Sequence, residues 1–395
     1  MNPRTVMIFG LALGASAEGC TQLLGVDHEY KPAVHDTASS QGGAPGSATS
    51  GEESSSSGLA EPSCPAALIA CGTSCVNTSN DPHHCGACGH DCDGQTCAGG
   101  LCTPVKLNAE EGNLSFITVH KDFVYFTNAS AGTVRRVSVN GGDSVTIADQ
   151  QNWPAGITVD DHSVYWSVAG TWSDWGAVRK APLDGGSTTT IAKDVRNPYE
   201  LVVTPQNTIW TNWGYDEDPE HHRRTLTRAG LDMGGDSSAL ADLREDAWSV
   251  GRADGDAFAM RYDGAMMRIP ADGGDPASIP TTAGNVRGVV VGRDALYYSG
   301  WDSGQIQKIS LDGGDPVVFY DGSADGVISI LGMAVDDAYL YWCEDNSGII
   351  RKAPIAGGPA TLLAIGQNQP QHIVVDDKYA YWVNWSGSGV MKTPK

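Results

Sequence analysis

A single repeated phrase constrains this chain more than any other feature. Its clearest copy starts at Pro154 with "PAGITVDDHSVYWSVAG" and continues after a short gap as "GAVRKAPLDGGSTTTIAKD". The phrase parses into four short strands: Ile157 to Val159, Val164 to Val168, Ala177 to Ala181 and Thr188 to Ala192. Asp160-Asp161 and Asp184-Gly185-Gly186 supply the hairpin turns between them. The second strand can be followed through seven copies: Val124-Tyr125-Phe126, Val164-Tyr165-Trp166, Thr208-Ile209-Trp210, Ala257-Phe258-Ala259, Leu296-Tyr297-Tyr298, Leu340-Tyr341-Trp342 and Ala380-Tyr381-Trp382. The Gly-Gly turn recurs at Gly141, Gly185, Gly234, Gly273, Gly313 and Gly357.

A period of roughly 40 residues with four strands per unit reads as a propeller blade. Each blade has two apolar faces that only neighbouring blades can cover, so the aromatics of the second strand are expected between blades. The fourth copy carries Ala259 in place of the aromatic. The count is therefore seven, with six or eight as alternatives. The last copy stops at Lys395 after its third strand, and Pro104-Val105-Lys106-Leu107-Asn108 offers the missing fourth. Pairing the two closes the ring and removes exposed edges. The predicted fold class is all-β: a seven-bladed β-propeller over 104–395, closed by 104–108. The run "GITVDD..VYW…VRKAPLDGG" resembles the YWTD repeats of low-density lipoprotein receptors and, more loosely, NHL-type propellers. The resemblance implies architecture rather than activity, and YWTD domains usually have six blades.

Ahead of the propeller the composition changes twice. Residues 36 to 63 are rich in Ser, Gly, Ala, Thr and Pro and cannot bury enough apolar surface to fold, so a disordered tether is expected. Eight of the ten cysteines then follow within 64–102: Cys64, Cys71, Cys75, Cys85, Cys88, Cys92, Cys97 and Cys102. So short a segment needs covalent staples in place of a core. An even thiol count favours disulfides of undetermined pairing; zinc held by Cys85, Cys88 and His83, His84 or His90 is the rival reading. The run "CGTSCVNTSNDPHHCGACGHDC…CAGGLC" resembles the cysteine-rich repeat of stigma-specific-type proteins, seen also in exported myxobacterial lipoproteins. That resemblance implies a small extracellular module without chemistry of its own.

The N-terminus reads as an export device. Val6 to Ala17 is apolar or small and too short to span a bilayer, which fits a signal peptide over 1–19. Ala17-Glu18-Gly19-Cys20 resembles a bacterial lipoprotein cleavage box, which implies acylation of Cys20 and a lipid-anchored tether over 20–63. Thr21 rather than Asp after the cysteine points, by the same likeness, to the outer membrane or cell surface; periplasmic or secreted forms are the alternatives. A net charge of -22 argues against nucleic acid and against docking on anionic lipid.

Aligned on the second strand, the residues just before each first strand are Ser115-Phe116, Ala155-Gly156, Tyr199-Glu200, Trp248-Ser249, Arg287-Gly288, Leu331-Gly332 and Gln371-His372. They are expected to ring one mouth of the central channel, with an off-centre pocket. Loops bearing Trp172, Trp175, Trp213, Tyr215, Trp301, Asp302 and Trp385 map to the same face, as does Trp153. Clustered exposed indoles suit a glycan, a cation or a partner protein. The candidate binding residues are Tyr199, Glu200, Trp213, Trp248, Arg287, Trp301, Gln371, His372 and Trp385.

No Gly-x-Ser-x-Gly elbow, phosphate loop or His-Glu-x-x-His pattern occurs. The expectation is a monomeric display and binding protein for a glycan or protein segment, without cofactor or metal. One alternative is a lyase or hydrolase using His372 with Glu200; streptogramin lyases are similar in placing a histidine near the propeller axis. A structural envelope protein is the other. Cys343 is expected to be a buried, inert thiol.

Overall fold

The computed structural model describes residues 63–109, 112–170, 175–212, 225–231, 237–242, 247–253, 255–261, 264–270, 274–281, 286–300, 303–385 and 389–395. The expected signal peptide over 1–19, Cys20 and all of the expected tether but residue 63 fall outside them. Seven four-stranded antiparallel sheets follow one another along the chain. Within each, strands a to d run in sequence order from the axis outward, and the seven a strands contact one another in a closed ring. The a strands are Leu114–His120, Pro154–Val159, Pro198–Val203, Ala247–Ala253, Val286–Val291, Ile330–Val335 and Pro370–Val375. The blade number is seven, and the degenerate fourth copy is a full blade in spite of Ala259.

The seventh blade takes its strand d from the front of the propeller. Val105–Lys106 pairs antiparallel with Val390–Pro394 in the register Met391↔Lys106 and Lys392↔Val105. Leu107 then donates its N–H to Val390 O at 2.8 Å, and the buried side chain of Asn108 accepts the Val390 N–H at 2.9 Å.

Apolar alternation explains where the core sits. The aromatics of strand b lie between blades: Trp166, Trp210, Trp342 and Trp382 are fully buried. Each indole N–H finds an acceptor: Gln151 for Trp166, Asn212 for Trp210, Glu344 for Trp342 and Gln367 for Trp382. A ring of cations on strand c stitches blade to blade. Arg136 donates to Leu183 O, Lys180 to Leu231 O, Arg228 to Gly274 O, Lys308 to Ile355 O and Lys392 to Val139 O, each in the next blade. Four of them also lie over a ring of their own blade: Arg136 over Phe123, Lys180 over Tyr165, Lys308 over Tyr297 and Lys392 over Tyr379.

The aspartates of the repeated phrase do more than turn the chain. Asp160 Oδ1 accepts the backbone N–H groups of His162 and Ser163, while its Oδ2 accepts the Tyr165 hydroxyl. Asp336 with Tyr341 and Asp376 with Tyr381 repeat the arrangement. One carboxylate thus closes the a–b turn and satisfies the phenol of strand b.

The cysteine-rich segment is bridged Cys64–Cys75, Cys71–Cys88, Cys85–Cys97 and Cys92–Cys102. All eight sulfurs are committed, which overturns the zinc alternative at Cys85 and Cys88. His90 instead packs its Nδ1 at 2.6 Å from Cys85 O. Four bridges in so short a segment form and persist in an oxidising compartment, which marks the chain as exported. Among the described residues no helix is long and apolar enough to cross a membrane.

Candidate functional site

The mouth of the channel is built by a defect that every blade shares. Each a–b pairing loses register near the start of strand a: between Leu114 and Ile117, Pro154 and Ile157, Pro198 and Leu201, Ala247 and Ser249, Val286 and Gly288, Ile330 and Met333, and Pro370 and Ile373. Such bulges release residues from the ladder and re-aim their side chains. In blades 1, 2, 3, 6 and 7 the residues released are both members of the pair that the aligned copies place at the mouth; in blades 4 and 5 only the first member is released, and Ser249 and Gly288 stay paired in the ladder.

Small hydroxyls on strand b hold the bulges. Thr127 Oγ1 accepts the Phe116 N–H at 3.1 Å and donates to Ala155 O of the next blade at 2.8 Å. Ser299 Oγ likewise accepts the Gly288 N–H, and Ser167 donates to Tyr199 O at 2.6 Å. Cys343 occupies the matching position after Trp342. It is fully buried, and burial pushes its thiol well above the ordinary range, so it serves as an inert small residue.

The small residues of blades 2 and 6 are required by close approach. A Cβ on Gly156 would run into the Tyr199 carbonyl, and one on Gly332 into the Gln371 carbonyl, with His372 Cα 2.7 Å away. Because blade 2 recedes in this way, Phe116 of blade 1 meets Tyr199 of blade 3 edge-on, at 5.2 Å between ring centroids. Phe116 also stacks on His372 of blade 7 at 3.9 Å. Tyr199, Phe116 and His372 therefore form one aromatic wall spanning three blades.

A cavity of about 170 Å³ opens beside this wall, lined also by Glu200, Arg287, Gln371, Leu331, Val289 and Met333. Arg287 Nη1 donates to Ser329 Oγ at 3.0 Å. Its charge also reaches Asp345, whose carboxyl burial pushes up and Arg287 pulls down, with a net rise. Burial and the neighbouring Glu200 push the Tyr199 phenol up to about 12 against an opposing pull from Arg287, so it stays a neutral donor. Burial depresses His372 to about 4, so its imidazole is neutral near pH 7.

Five of the predicted binding residues thus meet in one place: Tyr199, Glu200, Arg287, Gln371 and His372. Trp385 does not line the cavity; it sits half-buried at the end of strand b of blade 7 on the same face. Trp213 and Trp301 lie outside the described residues, as do Trp172, Tyr215, Asp302 and the side chain of Trp248. Trp153 and Trp175 precede strands a and c of blade 2, which both start at the mouth end, and they are 47% and 54% exposed. Sequence reasoning missed Ser329 and Asp345, which approach Arg287 from loops outside the repeated phrase. It also aligned Phe116 correctly without giving it a role.

Fold and site together define a seven-bladed β-propeller with a charged, aromatic-walled mouth and a disulfide-stapled N-terminal module. Residues 49–104 match the Stigma-specific STIG1-like protein family. No curated protein matches the chain in sequence. Among solved structures, virginiamycin B lyase from Staphylococcus aureus is 14% identical with a TM-score of 0.60, covering 74% of this chain and 98% of its own. A streptogramin B lyase is 14% identical with a TM-score of 0.59, covering 73% and 96%. The β-propeller domain of a Myceliophteria thermophila protein is 11% identical with a TM-score of 0.60, covering 74% and 99%. At these identities the likeness establishes the fold and nothing finer.

Proposed function

We propose that the chain is an exported binding protein, lipid-anchored through Cys20 at the outer membrane or cell surface, that takes a glycan or protein segment on the mouth face of its propeller. The observation that carries this reading is convergence. Inner strands of four blades direct a guanidinium, a carboxylate, an amide and an aromatic wall into one concavity. The exposed indoles of Trp153 and Trp175 extend the surface over blade 2. The cysteine-rich module supports the same arrangement from the far end. Asp93 pairs with Lys378 of the a–b turn of blade 7 at 2.8 Å, one strand length of about 20 Å from the mouth.

The test is a panel of glycans and peptides presented to the purified chain, with Arg287→Ala and Trp175→Ala compared. The expected result is saturable binding without turnover, weakened at least tenfold by one or both substitutions. Binding that neither substitution alters would refute the mouth as the site.

A lyase or hydrolase using His372 and Glu200 is the second reading, favoured by the presence of both on one cavity. Its weakness is the imidazole, which at about 4 is a poor base near neutral pH. Turnover of virginiamycin B that disappears in His372→Ala would establish it over the binding reading.

A further inference from the structure

The a–b turns lie at the opposite end of the strands from the mouth, and blade 5 lacks a part that its neighbours have. In blades 2, 6 and 7 the turn opens on an aspartate whose Oδ2 accepts the hydroxyl of a strand-b tyrosine. Asp160 takes Tyr165 at 2.7 Å, Asp336 takes Tyr341 at 2.9 Å and Asp376 takes Tyr381 at 2.7 Å. The Oδ1 of the same carboxylate accepts two turn N–H groups, those of His162 and Ser163 in blade 2. Blade 5 keeps the tyrosine as Tyr297 but carries Gly292 in place of the aspartate. The register fixes the match, since Val291 pairs with Leu296 as Val159 pairs with Val164. The backbone does not call for this glycine: its φ is not left-handed, and a Cβ there meets nothing nearer than Ala295 O at 3.3 Å. What blade 5 has given up is a carboxylate.

Its loss strands a phenol beside a cavity. Tyr297 is 2% exposed and finds no hydrogen-bond partner among the described residues, whereas Tyr125 of blade 1 turns to Leu183 O. A buried polar group left without a partner is costly. The Tyr297 ring stands 3.6 Å from the place of a Gly292 Cβ, and both residues line a cavity of about 580 Å³ between the a–b turns of blades 5 and 6. That volume falls in the range of roughly 300–1,000 Å³ of pockets that hold small molecules. Val291, Val335 and Ile355 give it an apolar wall. Lys308 Nζ lies 5.5 Å from the Tyr297 ring centroid and donates to Ile355 O at 3.3 Å, which leaves N–H donors to spare on its ammonium. The other charges of the lining are accounted for locally. Arg252 donates to Val203 O, Arg293 pairs with Asp337 at 3.1 Å, and Asp336 is taken up by its own turn, Tyr341 and Lys395. Asp294 stands exposed at the tip of the turn.

We propose that this cavity binds a small organic monocarboxylate, whose head group stands in for the missing aspartate and whose apolar body lies along Val291, Val335 and Ile355. The head group accepts the Tyr297 hydroxyl and the turn N–H groups of Asp294 and Ala295, which match those of His162 and Ser163. A charged acceptor suits these donors and the nearby ammonium of Lys308 better than a neutral one. The site is separate from the mouth and does not depend on a ligand there.

The test is titration calorimetry of the full chain with hexanoate and hexanamide. Hexanoate should bind, and hexanamide at least tenfold more weakly. Tyr297→Phe removes the donor and keeps the ring, and should weaken hexanoate at least tenfold. Gly292→Asp supplies the carboxylate from the chain itself. It should abolish hexanoate binding and raise the melting temperature, a pairing of effects that a damaged fold would not give. The comparison of the two ligands on the unaltered chain and the Tyr297→Phe titration stand even if Gly292→Asp folds poorly. Failure of hexanoate to bind, equal affinity for the amide, or binding that Tyr297→Phe and Gly292→Asp both leave unchanged would overturn the proposal.

Discussion

The ring centroids of His372 and Phe116 lie 3.9 Å apart with the rings tilted by 30°, joining two blade starts across the closure of the propeller. Burial in that stack drives the imidazole from 6.5 to about 4. Between those values the unfolded chain binds a proton that the folded chain refuses, so stability rises with pH across the window and falls as pH drops from about 6.5 to about 4. The loss amounts to about 3 kcal/mol at most, since part of the ring still meets solvent. The carboxylates of Asp160 and Asp336 act elsewhere. Partial burial pushes them up, but their hydrogen bonds prevail and hold both below the ordinary range. Their contribution is therefore present above about pH 4 and is lost only below it. Guanidinium midpoints measured at pH 7 and pH 4.5 should fall for the unaltered chain and fall less for His372→Leu.

Gly332 is predicted to be irreplaceable even by alanine. A Cβ there meets backbone atoms of Gln371 and His372 rather than the tip of a flexible side chain, so blade 7 itself must move. Overpacking of this kind costs about 1–3 kcal/mol. Gly332→Ala should also disturb the Phe116–His372 stack, and with it the pH dependence between 4 and 6.5. Chemical denaturation of the variant at two pH values checks both effects.

Much of this was legible in the residues and some was not, for reasons that differ. The repeat period and the Asp-Gly turns carry the propeller because hairpin chemistry is local. The absent last strand of blade 7 and the spare segment ahead of blade 1 reveal the closure, because an unpaired edge needs a partner. Alignment on strand b places Glu200, Arg287 and His372 at one mouth because the repeat fixes their height along the axis. The bulges at the start of each strand a leave no residue-type signature, since a register shift is a property of two strands. Ser329 and Asp345 stayed hidden because the loops carrying them do not repeat.

Glu344 is fully buried and collects four hydrogen bonds. Its Oε1 accepts from the Tyr320 hydroxyl at 2.9 Å, Trp342 Nε1 at 3.2 Å and Arg351 Nε at 2.8 Å, while its Oε2 accepts from Ser347 at 3.0 Å. Removing one partner of such a pair strands the other charge, a cost of about 3–5 kcal/mol, whereas replacing both by apolar groups is often close to neutral. Glu344→Ala should therefore destabilise strongly, and the double substitution Glu344→Met with Arg351→Met should recover most of the loss. Melting of the two variants distinguishes a charge effect from one of packing.

The final prediction concerns ring closure, which hangs on few contacts. Only Val105 and Lys106 pair in the ladder with strand c of blade 7, and the buried Asn108 side chain takes up the Val390 N–H that follows. The closing segment is held from its other side by the disulfide module. Cys102, bridged to Cys92, precedes it by two residues, and its carbonyl accepts the Thr393 hydroxyl at 3.5 Å. Asp93, next to Cys92, pairs with Lys378. The module therefore restrains the closing strand. Opening the Cys92–Cys102 bridge should cost about 3 kcal/mol by loop entropy alone. Asn108→Ala, by leaving a buried amide unpaired, should cost about 1–3 kcal/mol. If the two act on the same closure, their combination should be non-additive, because a strand already released loses nothing further. A double-mutant cycle of Asn108→Ala against Cys92→Ser with Cys102→Ser, read by chemical denaturation, tests this. Strict additivity would mean that the module is stapled for its own sake and leaves the ring to close unaided.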